Sequence, residues 1–89
     1  MGPSQVSQLV NSLLKPELEN VFGPGITARV LMSARAKANA PIIGMTSEDY
    51  VRLVEAIYQD ERVVGMWGEA GAREIIKHWK DAATRAFAA

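Results

Sequence analysis

The sequence contains no cysteine and only one histidine in 89 residues. The absence of cysteine excludes a disulfide framework, a thiolate zinc site and a cysteine nucleophile. Small secreted domains usually depend on disulfides, so we predict a cytoplasmic protein. The single histidine, His78, is expected on a helix surface, because Glu74 and Asp81 alone would complete a metal site poorly. We therefore predict neither a metal nor a cofactor.

Long apolar runs are also missing. The longest cover residues 40–45 and 63–67, well below the roughly 20 residues that cross a bilayer. The N-terminus lacks the basic and then apolar layout of a signal peptide. We expect no membrane span, an N-terminal tail or cloning remnant over residues 1–3, and a single helical domain over residues 4–89, because the chain is too short for two cores.

Every apolar stripe in the chain has helical spacing, which predicts an all-α fold: a small compact bundle of four or five helices. The first stripe consists of Val6, Leu9, Val10, Leu13 and Leu14. Pro16 has no amide hydrogen to donate, so we expect the first helix to be kinked or split there. Residues 23–25, Gly-Pro-Gly, predict a turn that ends it.

Three further helices are predicted. The second covers residues 26–38 and ends before Pro41, because a residue that precedes proline avoids helical dihedrals. The third begins after Thr46, a hydroxyl cap followed by acids, and carries the stripe Tyr50, Leu53, Val54, Ile57 and Tyr58. The fourth begins near Glu69, after a short turn over residues 60–64 and three glycines.

The zero net charge conceals two oppositely charged segments. Residues 23–45 hold three basic side chains and no acid, whereas residues 46–68 hold five acids and two arginines. The second and third predicted helices are therefore electrically complementary, which fits antiparallel neighbours. Surface ion pairs contribute only tenths of a kcal/mol each, so the apolar stripes must determine the fold.

Apolar residues in the connecting segments favour an interaction or regulatory module that binds a protein partner or a second copy of itself. The candidate partner-binding residues are Ile42, Ile43, Met45, Met66 and Trp67. Met and Trp are common in recognition surfaces. Trp67 has a second interpretation, a plug for the end of the bundle, which we favour because a small domain has few large hydrophobes. A homodimer is the expected assembly.

Nucleic-acid binding is the first alternative, through the basic helix over residues 26–38. Its candidate residues are Arg29, Ser33, Arg35 and Lys37. A helix-turn-helix is disfavoured, because Pro41 interrupts the first helix of the pair and the acids at 48 and 49 would meet phosphates. A basic helix face exposed to solvent explains the same residues.

A small cofactor-free enzyme that acts on an anionic metabolite is the second alternative. Arg29, Arg52 and Glu55 are its first candidates, because paired arginines with a carboxylate suit an anion. No motif places a nucleophile beside a base, and no catalytic residue is assigned. Residues 65–71 are rich in glycine, but Glu69 stands where a phosphate-binding loop would hold its ligand. A protein that is not an enzyme is expected.

Overall fold

The computed structural model describes residue 6, residues 8–40 and residues 45–87. A π-helical turn, Val10–Leu14, leads into α1, Lys15–Ala38, which is followed by α2, Ser47–Tyr58, and α3, Glu61–Phe87. These residues contain no strand, so the all-α prediction is confirmed. The predicted count of four or five helices is wrong, because three α-helices are found in this part of the chain. Each of the two long helices continues across a glycine where we expected a turn between helices.

The kink or split predicted at Pro16 falls beside the junction between the π-helical turn and α1. Leu14 and Lys15 both have right-handed helical dihedrals, and Pro16 lies in the first turn of α1. An amide hydrogen is not needed there. The π-helical turn before Pro16 closes with the Lys15 amide donating to the Val10 carbonyl. This wider turn lets the chain enter α1 without a break.

The sharp changes of direction occur at two glycines instead. Gly23 bends α1 with φ 77° and ψ 167°, and Gly68 bends α3 with φ 75° and ψ 165°. This region is essentially restricted to glycine. Each of the two helices therefore consists of two legs, and in both cases an aromatic residue, Phe22 or Trp67, precedes the bend.

The other helix ends follow local chemistry. Asn39 caps the end of α1 in the left-handed conformation, with φ 53°, which asparagine tolerates better than most residues. At the start of α2, the Asp49 amide donates to the Thr46 hydroxyl at 3.2 Å, and the Thr46 amide donates to the Asp49 carboxylate at 3.0 Å. These bonds form a capping box. Both predicted boundaries, Ala38 and Thr46, are confirmed.

The capping box also perturbs the acid that takes part in it. The Thr46 backbone amide holds the pKa of Asp49 below its usual value, the Thr46 hydroxyl and the Arg52 charge act in the same direction, and partial burial opposes them. Because the pKa of Asp49 is lower in the folded state, the ionised carboxylate stabilises the fold at pH values above the ordinary pKa of aspartate. This stabilisation is lost as the pH falls through the lowered pKa.

The short helix α2 is central, because it packs against both α1 and α3. Its stripe of Tyr50, Leu53, Val54 and Ile57 is fully buried. The other large, fully buried residues of the same core are Val6, Val10, Leu14, Leu18, Val30, Met45, Val63 and Trp79. Burial of such side chains contributes roughly 1.5–3 kcal/mol each, so apolar packing on α2 organises the fold.

We expect the kink glycines to resist substitution. Gly68→Ala should lower the free energy of unfolding by about 1–3 kcal/mol, because its backbone conformation is unfavourable for an L-residue. Gly65→Ala is the matched control: this glycine lies in α3 without a positive φ and with open space around it, so alanine should raise the free energy by about 0.5–1 kcal/mol. Urea unfolding measures both, and a stabilising Gly68→Ala would contradict the bend.

Candidate functional site

Three aromatic rings connect the bends of α1 and α3. The centroids of Phe22 and Trp67 are 5.9 Å apart with an interplanar angle of 65°. Those of Trp67 and Trp79 are 6.4 Å apart with an angle of 77°. Edge-to-face pairs of this kind contribute about 0.5–1.5 kcal/mol beyond their buried area. Trp67 is half-buried and packs against the hydrophobic core.

Two large apolar side chains close to the bends in the sequence are exposed. Met66, which precedes Trp67, is 55% exposed, and Ile26, three residues after the Gly23 bend, is 41% exposed. We call Phe22, Ile26, Met66 and Trp67 the kink-end patch. Scattered exposed hydrophobes are ordinary, but grouped ones mark contact surfaces. The sequence indicated half of this patch, Met66 and Trp67.

The other predicted partner-binding residues do not join it. Ile42 and Ile43 lie outside the described residues. Met45 is only 1% exposed and belongs to the core around α2. Its side chain therefore packs within the chain, which corrects its assignment to a docking surface. An apolar connector next to a small core tends to be recruited into that core, because burial stabilises it there.

A polar network missed by the sequence analysis surrounds Trp79. Its indole Nε1 donates to the Glu17 carboxylate at 2.5 Å, and its carbonyl accepts from the Tyr50 hydroxyl at 3.0 Å. His78 Nε2 lies 3.8 Å from the other Glu17 oxygen, and its side chain is 53% exposed. The network joins α1, α2 and α3. A buried indole requires an acceptor, but the sequence gives no signal that Glu17 supplies it.

Burial in this network affects the tyrosine. Desolvation raises the pKa of the Tyr50 phenol above its ordinary value, and the nearby negative charge of Glu17 raises it further. A tyrosine phenol is already protonated at neutral pH, and the raised pKa keeps the hydrogen that Tyr50 donates in place at alkaline pH as well.

The candidate enzyme residues lie on two helices, Arg52 and Glu55 on α2 and Arg29 on α1. Arg52 donates to Asp49 and lines a groove of about 660 Å³ between α2 and α3, whereas Glu55 accepts from Lys80 at 3.0 Å. Arg29 is exposed on α1.

The candidate nucleic-acid residues divide into two groups. Arg29, Ser33 and Lys37 are exposed on the second leg of α1, one helical turn apart. Arg35 is half-buried and lines a separate groove. The pKa of Asp60 lies below its ordinary value mainly because Arg62 donates to it, and the Lys37 charge adds to the effect. Lys37 thus already has an acid nearby.

The described residues contain no group of three or more acids and histidines placed to hold a metal ion. Across the same part of the chain, no helix combines the length and apolarity that a membrane span requires.

Comparison of the chain with protein-family models, with curated proteins and with solved structures finds no match.

Removing the acceptor for Trp79 tests the polar network. Glu17→Ala should lower the free energy of unfolding by about 1–3 kcal/mol, because it leaves a buried donor unsatisfied. Glu17→Gln keeps an oxygen that accepts the indole hydrogen and should cost less. Glu19→Ala, two residues away, is the control for helix propensity and charge. Chemical denaturation measures all three variants, and equal effects of the alanine substitutions at 17 and 19 would argue against the bond.

Proposed function

We propose that this chain is a small helical interaction module that self-associates through the kink-end patch. The proposal rests on the exposure of Met66, which precedes Trp67 in the sequence, and of Ile26, three residues after the Gly23 bend, together with the contact between the Phe22 and Trp67 rings. Aromatic residues and methionine are enriched at protein interfaces, and methionine adapts its shape to a partner. The contact between the Phe22 and Trp67 rings brings the two glycine bends together.

A closed two-fold dimer is the simplest assembly for such a patch. In a two-fold interface each residue is buried once on each subunit, so four apolar side chains contribute eight times. Fully burying an exposed Met or Ile stabilises an interface by roughly 1.5–3 kcal/mol, and side chains that are already half-buried contribute less. That sum must exceed the roughly 4–15 kcal/mol lost in translational and rotational freedom. A dimer of moderate affinity follows.

Nucleic-acid binding through α1 has weaker support. Its exposed ladder contains only Arg29 and Lys37 as charges, and the second acts on Asp60. Affinity for duplex DNA rises with the number of phosphates that are neutralised. Two cations in a chain of zero net charge would neutralise only a few phosphates, so the expected affinity is low.

The test is sedimentation equilibrium at micromolar concentration. We expect the wild-type protein to dimerise and Met66→Lys to remain a monomer of 9.7 kDa, because burying a lysine charge opposes association. Thr84→Lys is the matched control: it adds the same charge at an exposed position of α3, roughly 24 Å beyond the Gly68 bend. It should dimerise like the wild type. A monomeric wild type, or a dimer that survives Met66→Lys, would contradict self-association.

A further inference from the structure

A second groove lies between the two legs of α1, away from the kink-end patch. Its volume is about 470 Å³. The first leg contributes Lys15, and the second contributes Ala28, Leu31, Met32, Arg35 and Ala36. Leu31 is 6% exposed and forms part of the floor, whereas Met32 is 71% exposed at the edge. The groove combines a shallow apolar surface with two cations.

These cations are not neutralised within the described part of the chain. Arg35 Nε is buried and has no hydrogen-bond partner there. No described carboxylate lies within ion-pair distance of Lys15 or Arg35, and no acid lines the groove. Arg52, Arg62, Arg73 and Lys80 each pair with an acid, so what distinguishes Arg35 from the other unpaired cations is its buried Nε. A buried donor without an acceptor costs stability unless something satisfies the group.

We propose that this groove binds a monomeric single-chain anionic amphiphile. The carboxylate or phosphate head group would face the Arg35 guanidinium and the Lys15 ammonium. Arginine offers donors in a planar fork that matches such oxygens, and lysine adds a point charge. The apolar chain would lie over Leu31 and the two alanines, with Met32 folding over it because its unbranched side chain adapts to irregular surfaces.

The size of the groove favours a small molecule over a protein segment. Stable protein interfaces involve roughly 20–30 residues on each side, whereas cavities for small ligands have volumes of about 300–1,000 Å³. The volume here falls within the second range. The excess of positive charge favours an anion over a neutral or cationic amphiphile. The site does not use the kink-end patch, so it stands or falls independently of self-association.

Isothermal titration calorimetry with monomeric decanoate tests the proposal directly. We expect saturable binding at one site, and binding of octanoate that is weaker by about fourfold for each methylene removed. Decanol and decyltrimethylammonium should bind at least about tenfold more weakly than decanoate, because they lose or reverse the charge-assisted contact. Decanoate should also raise the melting temperature of the protein, since the ligand binds the folded state.

Variants locate the binding. Arg35→Gln should weaken decanoate binding by about tenfold or more. Lys37→Gln, the matched control, removes the same charge from an exposed position of the same helix that does not line the groove, and should leave the affinity unchanged. Ala36→Trp fills the groove from an exposed position and should abolish binding while the circular dichroism spectrum stays helical.

Three results would overturn the proposal. The first is no heat of binding with millimolar decanoate. The second is equal affinity for decanoate and decanol, which would show that the cations play no part. The third is equal affinity of the Arg35→Gln variant and the wild type, which would place the ligand elsewhere. Binding to vesicles of anionic phospholipid without binding to monomeric decanoate would also exclude the monomer and indicate a membrane-surface site.

Discussion

The hydrogen bonds of Trp79 hold the three helices in register. This residue is fully buried and lies on α3. Its indole reaches Glu17 of α1, and its carbonyl accepts from Tyr50 of α2. Apolar packing drives the helices together but is not directional. The two polar contacts require specific rotations of α1 and α3 about their axes, so one buried tryptophan makes the arrangement unique.

The two bends make this arrangement possible in so short a chain. A straight helix of the length of α3 would extend roughly 40 Å and would present only part of its apolar stripe to the short α2. The bends at Gly23 and Gly68 place two legs of each helix close to the core. The aromatic residues before these glycines meet each other, so the bends are packed together rather than exposed separately.

Sequence reasoning succeeded where local chemistry determines the structure. The capping box at Thr46, the buried stripe of α2 and the end of α1 before Asn39 depend on residues within a few positions of one another. It failed at Gly68, because the pattern alone does not distinguish a bend from a chain break.

Long-range contacts could not be predicted for a different reason. Nothing near Glu17 indicates that it accepts a hydrogen from Trp79, and nothing near Met45 indicates that the core includes it. For the candidate site, the sequence indicated Met66 and Trp67, and their role in binding a partner stays a prediction. The neighbours Phe22 and Ile26 and the groove around Arg35 depend on how the legs of α1 fold back on each other, which is a tertiary property.

The bends also have a stereochemical consequence. Backbone dihedrals near φ 75° and ψ 165° are the mirror image of an extended conformation that L-residues adopt readily. Gly23 and Gly68 therefore occupy positions that suit a D-amino acid, and glycine is the only encoded residue that reaches this region without strain. The genetic code thus offers one solution at each of these two positions, and the path of both long helices depends on it.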